Sequence, residues 1–310
     1  MKHVVLVTYG EPTSPSFIDQ LVYSWRILLG LTRSVADIPA PLIPLIALSR
    51  ARGRNVMWRE NAYSSPLESI TLAQAEQVRE ALARRSDDAW KIHVAYEFRD
   101  PLLPALIQQL PPAEPVTVVP MYAADSAFTH ELTRASIRHL NAQRPVPVTV
   151  LEPIDVETLI TISVNHLMRQ IGEDGITTAS SALVLAAHGT LLEPQKPIDT
   201  GREATERLCA GIQESLSDRF GMITNGWLNH SRGGKWTDPP IEETLKRVKE
   251  AGYRDVVYYP YGFLADNAES QLEGKLAAAG QPGLNVRFVP CLNGSSELAD
   301  AIASQVASGQ

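Results

Sequence analysis

Cysteine is nearly absent. Cys209 and Cys291 stand alone and far apart, and they make neither a CxxC pair nor a disulfide framework. That argues against an iron–sulfur cluster and fits a reducing cytosol. Long apolar runs are missing too. Nothing is long enough to cross a bilayer, and the chain goes straight into strand-like residues with no signal pattern before them. A cytoplasmic protein with no transmembrane segment is expected. Net charge is −7 and no basic block stands out, so nucleic acid is not expected as a partner. No GxGxxG and no phosphate-cradling glycine loop occurs, so a nucleotide is not indicated.

What is present is an ordinary apolar fraction, 44% over 310 residues, enough to core one large or two moderate domains. The chain also repeats itself. Val5-Leu6-Val7-Thr8-Tyr9-Gly10 is echoed by Val184-Leu185-Ala186-Ala187-His188-Gly189. Each is a short apolar run ending in a polar ring and a glycine. Val118-Val119-Pro120-Met121-Tyr122 is likewise echoed by Tyr258-Tyr259-Pro260-Tyr261-Gly262. Two similar half-domains are expected, 1–152 and 153–310, with the last helix able to pack back on the first. Facing one cleft, they would set Tyr9 and His188 opposite each other.

Strand-like runs alternate with amphipathic stretches. In the first half, strands are expected at 4–8, 92–96, 116–119 and 146–151, and helices at 16–29, 65–85, 102–110 and 129–141. A Pro-rich loop covers 39–44. In the second half, strands are expected at 183–187, 223–228, 256–259 and 286–289, and helices at 202–219, 241–251, 269–279 and 297–306. Such alternation means α/β architecture, two Rossmann-like parallel sheets with right-handed crossovers. Ligands then bind beyond the carboxyl ends of the strands, where Tyr9, Pro120, His188, Trp227 and Pro260 fall.

Two residues carry the sharpest chemistry. His188 ends a buried strand and is followed by glycine, which lets the backbone turn close to a ligand; a core-satisfied or capping histidine is the alternative. Glu269 has two readings. With Asp266 as helix N-cap, it completes a capping box. Otherwise it is a carboxylate delivered to the cleft, and a histidine with a carboxylate can handle a divalent metal or a proton. The loop with Ser231-Arg232-Gly233, Trp236 and Pro239-Pro240 is long enough to be functional. Trp25, Trp58, Tyr63 and Tyr122 read as core or cleft lining. Arg26, Arg33, Arg50, Arg52, Arg54 and Arg59 crowd the early segment, and one or two would suit ligand carboxylates.

With these residues in view, the chain resembles the ferrochelatases, class II chelatases that insert ferrous iron into a porphyrin. Six segments carry the resemblance in order. Val7-Thr8-Tyr9-Gly10-Glu11-Pro12 matches the family's opening strand and Gly-x-Pro turn. Ser65-Pro66-Leu67 with Thr71 and Gln74 matches its Ser-Pro-Leu helix start. Pro120-Met121-Tyr122 with Ser126 and Thr129 matches its Pro-Leu-Tyr segment, and Ala187-His188-Gly189 sits where it carries its catalytic histidine. Ser231-Arg232-Gly233, Trp236 and Pro239 match its Ser-Arg-x-Gly loop. Pro260-Tyr261-Gly262-Phe263, Asp266 and Glu269 match its Pro-x-Gly-Phe…Asp-His-x-Glu segment. Tyr9 and the lack of an apolar tail are similar to the soluble monomeric bacterial branch, which metallates coproporphyrin III. Four departures stand out: Asn267 where the family usually has His, His230 in place of Gln, Glu273 followed by Gly274 and Lys275 where an acidic ladder usually continues, and only Arg26 before Leu28-Leu29-Gly30 where the monomeric branch has a run of arginines.

The resemblance implies a chelatase-type fold with an active-site cleft between its domains, and iron insertion into coproporphyrin III or protoporphyrin IX in haem biosynthesis. It implies His188 and Glu269 as catalytic and metal-handling residues, and Tyr9, Arg26, Ser65, Tyr122, Ser126, Thr129 and Trp227 as porphyrin-binding. Ferrous iron is then a substrate, no cofactor is permanently bound, and contacts with neighbouring haem-pathway enzymes are transient. Two alternatives stay open: a non-catalytic tetrapyrrole- or haem-binding paralogue, and a cobalt or nickel chelatase acting on sirohydrochlorin.

Overall fold

The computed structural model describes residues 1–34, 38–174, 178–229 and 234–309. His230, Ser231, Arg232 and Gly233, and the Arg33 side chain, lie outside the described residues. The chain divides into two compact units. Unit 1 comprises Met1–Pro153, Pro194–Asp199 and Ala299–Gln310; unit 2 comprises Ile154–Glu193 and Thr200–Leu298.

Unit 1 is built on four parallel strands, β1 (Lys2–Thr8), β2 (Trp90–Tyr96), β3 (Val116–Pro120) and β4 (Val148–Val150), in the order β2-β1-β3-β4. Unit 2 repeats it with β5 (Ala182–His188), β6 (Met222–Leu228), β7 (Asp255–Tyr259) and β8 (Asn285–Phe288), in the order β6-β5-β7-β8. The repetition extends to register. Leu6 pairs with Val119 across β1 and β3, and the equivalent Leu185 pairs with Tyr259 across β5 and β7. The central strands β1 and β5 are apolar on both faces because helices cover both. Val5 and Val7 pack on Leu103 and Ile107 of α4 (Leu103–Gln109) and on Ile137 of α5 (His130–Asn141). Val184 and Ala186 pack on Ile241, Leu245 and Val248 of α8 (Ile241–Glu250).

Two helices were not expected from the sequence. One, α2 (Ile43–Glu60), begins inside the Pro-rich stretch. Pro44 lies in the first turn, where a missing N–H breaks no intrahelical bond, so the proline starts the helix where a loop was expected. α2 packs on α1 (Phe17–Ser34) through Leu28, Ile43 and Ala47. The other, α6 (Val156–Asp174), hides its period in a run of β-branched residues. Its buried Leu159, Ile160, Ser163, Leu167 and Ile171 nevertheless fall at helical spacing. The remaining helices are α3 (Leu67–Arg85), α7 (Arg202–Ser215), α9 (Gly274–Ala279) and α10 (Ser296–Ser308).

Burial gives His130 a thermodynamic signature. His130, at the start of α5, is 1% exposed and packs edge-on against Tyr122 at 6.2 Å. Burial pushes its pKa down to about 4, against the upward pull of Asp125, 3.9 Å from Nδ1. Between that value and about 6.5 the unfolded chain binds a proton that the folded chain does not. The His130 contribution is therefore intact above that window and is lost as pH falls through it. Urea unfolding of wild type and His130→Phe is expected to show the wild-type advantage shrinking by up to about 1.4 kcal/mol per pH unit over this range. A pH-independent difference contradicts the assignment.

Candidate active site

In both sheets the chain leaves the central strand on one side for its first neighbour and later on the other side. The crevice at such a switch point opens at the carboxyl ends of the strands. In unit 2 this places the end of β5, His188, beside the segment that follows β7. That segment comes in close. The Gly262 amide donates to the Ala186 carbonyl at 3.3 Å, and a Cβ on Gly262 would lie 2.7 Å from that of Ala187. Only glycine allows this approach.

The segment then turns into a π-helical turn, Ala268–Glu273, followed by α9. Its N-cap corrects the sequence expectation. Asp266 does not cap; it is buried and accepts hydrogen bonds from the Cys291 amide at 2.9 Å and from Asn293 Nδ2 at 2.7 Å. Asn267 is the cap. Its Oδ1 accepts from the amides of Glu269 at 2.9 Å and Ser270 at 3.0 Å, and the Ser270 hydroxyl accepts from the Asn267 amide at 3.0 Å. The capping box therefore uses Ser270, three residues beyond the cap, and leaves the Glu269 carboxylate out of it.

That carboxylate meets His188. Glu269 Oε1 lies 2.7 Å from His188 Nδ1, with the histidine half exposed (51%) and the glutamate mostly buried (16%). A carboxylate on Nδ1 selects the tautomer with hydrogen on that nitrogen, so the lone pair of a neutral ring sits on Nε2. Behind the pair, burial pushes the Tyr258 phenol well above its usual pKa, with Glu269, then Cys291 and Glu273, adding to the rise. A side chain at Gly274 would place its Cβ 2.7 Å from the Tyr258 hydroxyl. The buried tyrosine therefore leaves no room for a side chain at the residue that follows Glu273. Among the described residues no group of three or more His, Cys, Asp or Glu side chains is placed to hold a metal ion.

The same switch point in unit 1 carries aromatic rings. Tyr9, just past β1, lies against Phe98 at 5.7 Å and 26°, and against Tyr122 at 5.0 Å. Its hydroxyl donates to the Phe128 carbonyl at 2.7 Å. Ser126 and Thr129 build the turn beneath: their hydroxyls are 3.0 Å apart, Ser126 Oγ accepts from the Phe128 amide at 3.1 Å, and Thr129 donates to the Ala124 carbonyl at 2.9 Å. Ser65 donates to the buried carboxylate of Glu11 and accepts from the Leu67 amide at 3.1 Å. Arg26 pairs with Asp100 at 3.0 Å. Trp227 is 2% exposed, its backbone tied to Pro239 at 3.0 Å, so its ring belongs to the core. Phe98, the third ring, was passed over in the sequence, and Asn267 was named there only as a departure and not as the cap, whose signal was a serine three residues on.

Parallel α/β units of one strand order, repeated in a single chain, define the two-domain chelatase fold. Solved structures bear this out. CbiX, described as the terminal enzyme for biosynthesis of siroheme in denitrifying bacteria, superposes with a TM-score of 0.57 over all of both chains, at 15% identity. SirB from Bacillus subtilis with Fe3+ gives 0.54 over 100% of this chain and 98% of its own, also at 15%. At such identity the likeness concerns the fold alone. Curated ferrochelatases of Brucella ovis and of Brucella abortus (strain S19) are 25% identical over 328 residues, covering 95% of this chain and 87% of theirs. The Ferrochelatase family model matches residues 2–310, and the chain belongs to that family. Its chemistry is the insertion of a metal into a tetrapyrrole.

The cap is testable apart from any activity. Asn267→Ala is expected to cost about 1 kcal/mol in urea unfolding, and Asn267→Asp, which keeps an acceptor, only a small part of it. Equal losses in the two variants contradict the capping role.

Proposed function

We propose that the chain inserts ferrous iron into a porphyrin, coproporphyrin III or protoporphyrin IX, with His188 and Glu269 handling the protons and the incoming metal. The observation that carries this reading is the 2.7 Å hydrogen bond between His188 Nδ1 and Glu269 Oε1 at a strand-end switch point. The reaction poses a defined problem. A free-base porphyrin holds two inner N–H protons that must leave before a divalent metal binds. A neutral histidine with its lone pair on Nε2 is a base suited to accept one of them. The imidazolium so formed is stabilised by Glu269 on the other nitrogen, without moving the carboxylate. The same pair offers one nitrogen and one carboxylate to a metal shedding water.

Of the residues this reading assigns to the porphyrin, Tyr9, Arg26, Ser65, Tyr122, Ser126 and Thr129 lie in unit 1. Tyr9 and Tyr122 offer ring area with the buried Phe98 packed behind Tyr9, and Arg26 is the residue best suited to exchange its carboxylate partner Asp100 for a propionate. Ser126 and Thr129 serve this reading through the turn they build. Ser65, whose hydroxyl goes to Glu11, serves it by ordering the start of α3.

Anaerobic incubation with ferrous iron and, separately, coproporphyrin III, protoporphyrin IX and sirohydrochlorin tests the proposal. A metalloporphyrin spectrum with either of the first two is expected. Metallation of sirohydrochlorin alone would move the chain to the other chelatase class. Porphyrin binding without metallation would make it a carrier. Glu269→Gln is expected to lower iron insertion on the order of a hundredfold, as for loss of a general acid–base group, while porphyrin fluorescence quenching survives. Turnover near the wild-type rate in that variant removes Glu269 from the chemistry.

A further inference from the structure

Buried polar atoms without a hydrogen-bond partner are rare in folded proteins, and each one needs a physical reason. One lies beside the His188–Glu269 pair. Tyr258, in β7, is 0% exposed; its ring belongs to the core with Val184, Ala186 and Leu245 and meets Phe288 of β8 at 5.1 Å. Its hydroxyl is buried and has no hydrogen-bond partner. The neighbouring phenols differ. Tyr259 is hydrogen-bonded to Ser163, and Tyr261 donates to the Thr205 carbonyl at 3.4 Å. Packing does not account for the Tyr258 hydroxyl, because a phenylalanine ring would fill the same core without a desolvated O–H.

The hydroxyl sits against one particular turn. It lies 2.7 Å from where a Cβ on Gly274 would stand. Helical Cβ atoms tilt towards the N-terminus, so that position lies over the turn before Gly274. The same turn begins at Glu269, whose carbonyl accepts from the Gly274 amide across the π-helical loop. After burial itself, the Glu269 charge is the largest cause of the raised Tyr258 pKa. Glu269 thus has two donors near it: His188 Nδ1, which it holds here, and the Tyr258 hydroxyl, which it does not. A mostly buried carboxylate needs a donor wherever it points. On the metal-insertion reading above, on which this inference rests, the carboxylate stays on His188 while the ring takes a proton and comes off it to meet the metal. We propose that Tyr258 is a positioning residue for Glu269, a fixed donor that takes the carboxylate when it leaves His188.

Tyr258→Phe, made in the full chain and again in the His188→Ala background, tests this by thermal unfolding. In the wild-type background the change removes an unpartnered hydroxyl, and the melting temperature is expected to rise by a few degrees. With His188 gone, Glu269 turns to Tyr258, so the same change is expected to lower the melting temperature. A tyrosine that only fills the core would not reverse sign in this way. In iron insertion, Tyr258→Phe is expected to lower kcat about tenfold with the porphyrin KM unchanged, as for loss of an outer partner of a metal ligand. It is expected to add no further loss to Glu269→Gln. The same sign in both backgrounds overturns the proposal: a fall in both means that a buried water already holds the hydroxyl, and a rise in both that Glu269 does not turn to it. An unchanged kcat in Tyr258→Phe overturns it as well. A wild-type protein that inserts no metal, with the sign reversal intact, removes the metal-insertion reading and leaves the contact between Tyr258 and Glu269 standing.

Discussion

The hydrogen bond between His188 and Glu269 is the contact that the surrounding architecture of unit 2 serves. Its two members are 81 residues apart in the chain, and one sits on a strand end while the other sits on a helical turn. Three local features bring them together. Gly262 lets the segment after β7 pass within van der Waals reach of Ala187. Asn267 fixes the first turn by accepting two amides, which frees Glu269 from capping. Asp266 anchors the turn to the following segment through Cys291 and Asn293. Removing any of these would leave both side chains present but unplaced, a familiar cost where a site lacks its supporting shell.

The same backbone plan carries different chemistry in the two units. Both sheets have one strand order and one register, and both switch points lie beside the central strand. In unit 2 the strand ends in an ionisable ring joined to a carboxylate. In unit 1 it ends in Tyr9, whose hydroxyl is given to a backbone carbonyl and whose ring packs between Phe98 and Tyr122. The fold therefore supplies the place, and the residue at or just past the end of the central strand sets its chemical character.

Much of this was legible in the sequence, for physical reasons. Buried parallel strands leave unbroken apolar runs, so all eight strands were placed within a few residues. The repeat of the 5–10 and 184–189 segments gave the duplicated sheets. What was missed was hidden by competing local signals. Prolines in 39–44 read as a loop, although Pro44 opens α2 at a position where its missing N–H costs nothing. The β-branched run in 156–164 masked the helical period of α6. Asp266 and Asn267 are both good caps, and sequence could not tell which one the segment after β8 would claim. The commitment of Ser65 to Glu11 and the burial of Trp227 depend on tertiary packing that no local pattern encodes.

The central claim is that His188 and Glu269 act as one unit. A double-mutant cycle on the rate of iron insertion into porphyrin tests it most directly, using His188→Ala, Glu269→Gln and the two combined. Residues that work as a unit are strongly non-additive. The combined variant is expected to be little slower than the slower single variant. Losses that multiply, with the double variant slower by the product of the two single effects, would show two independent contributions and contradict the claim.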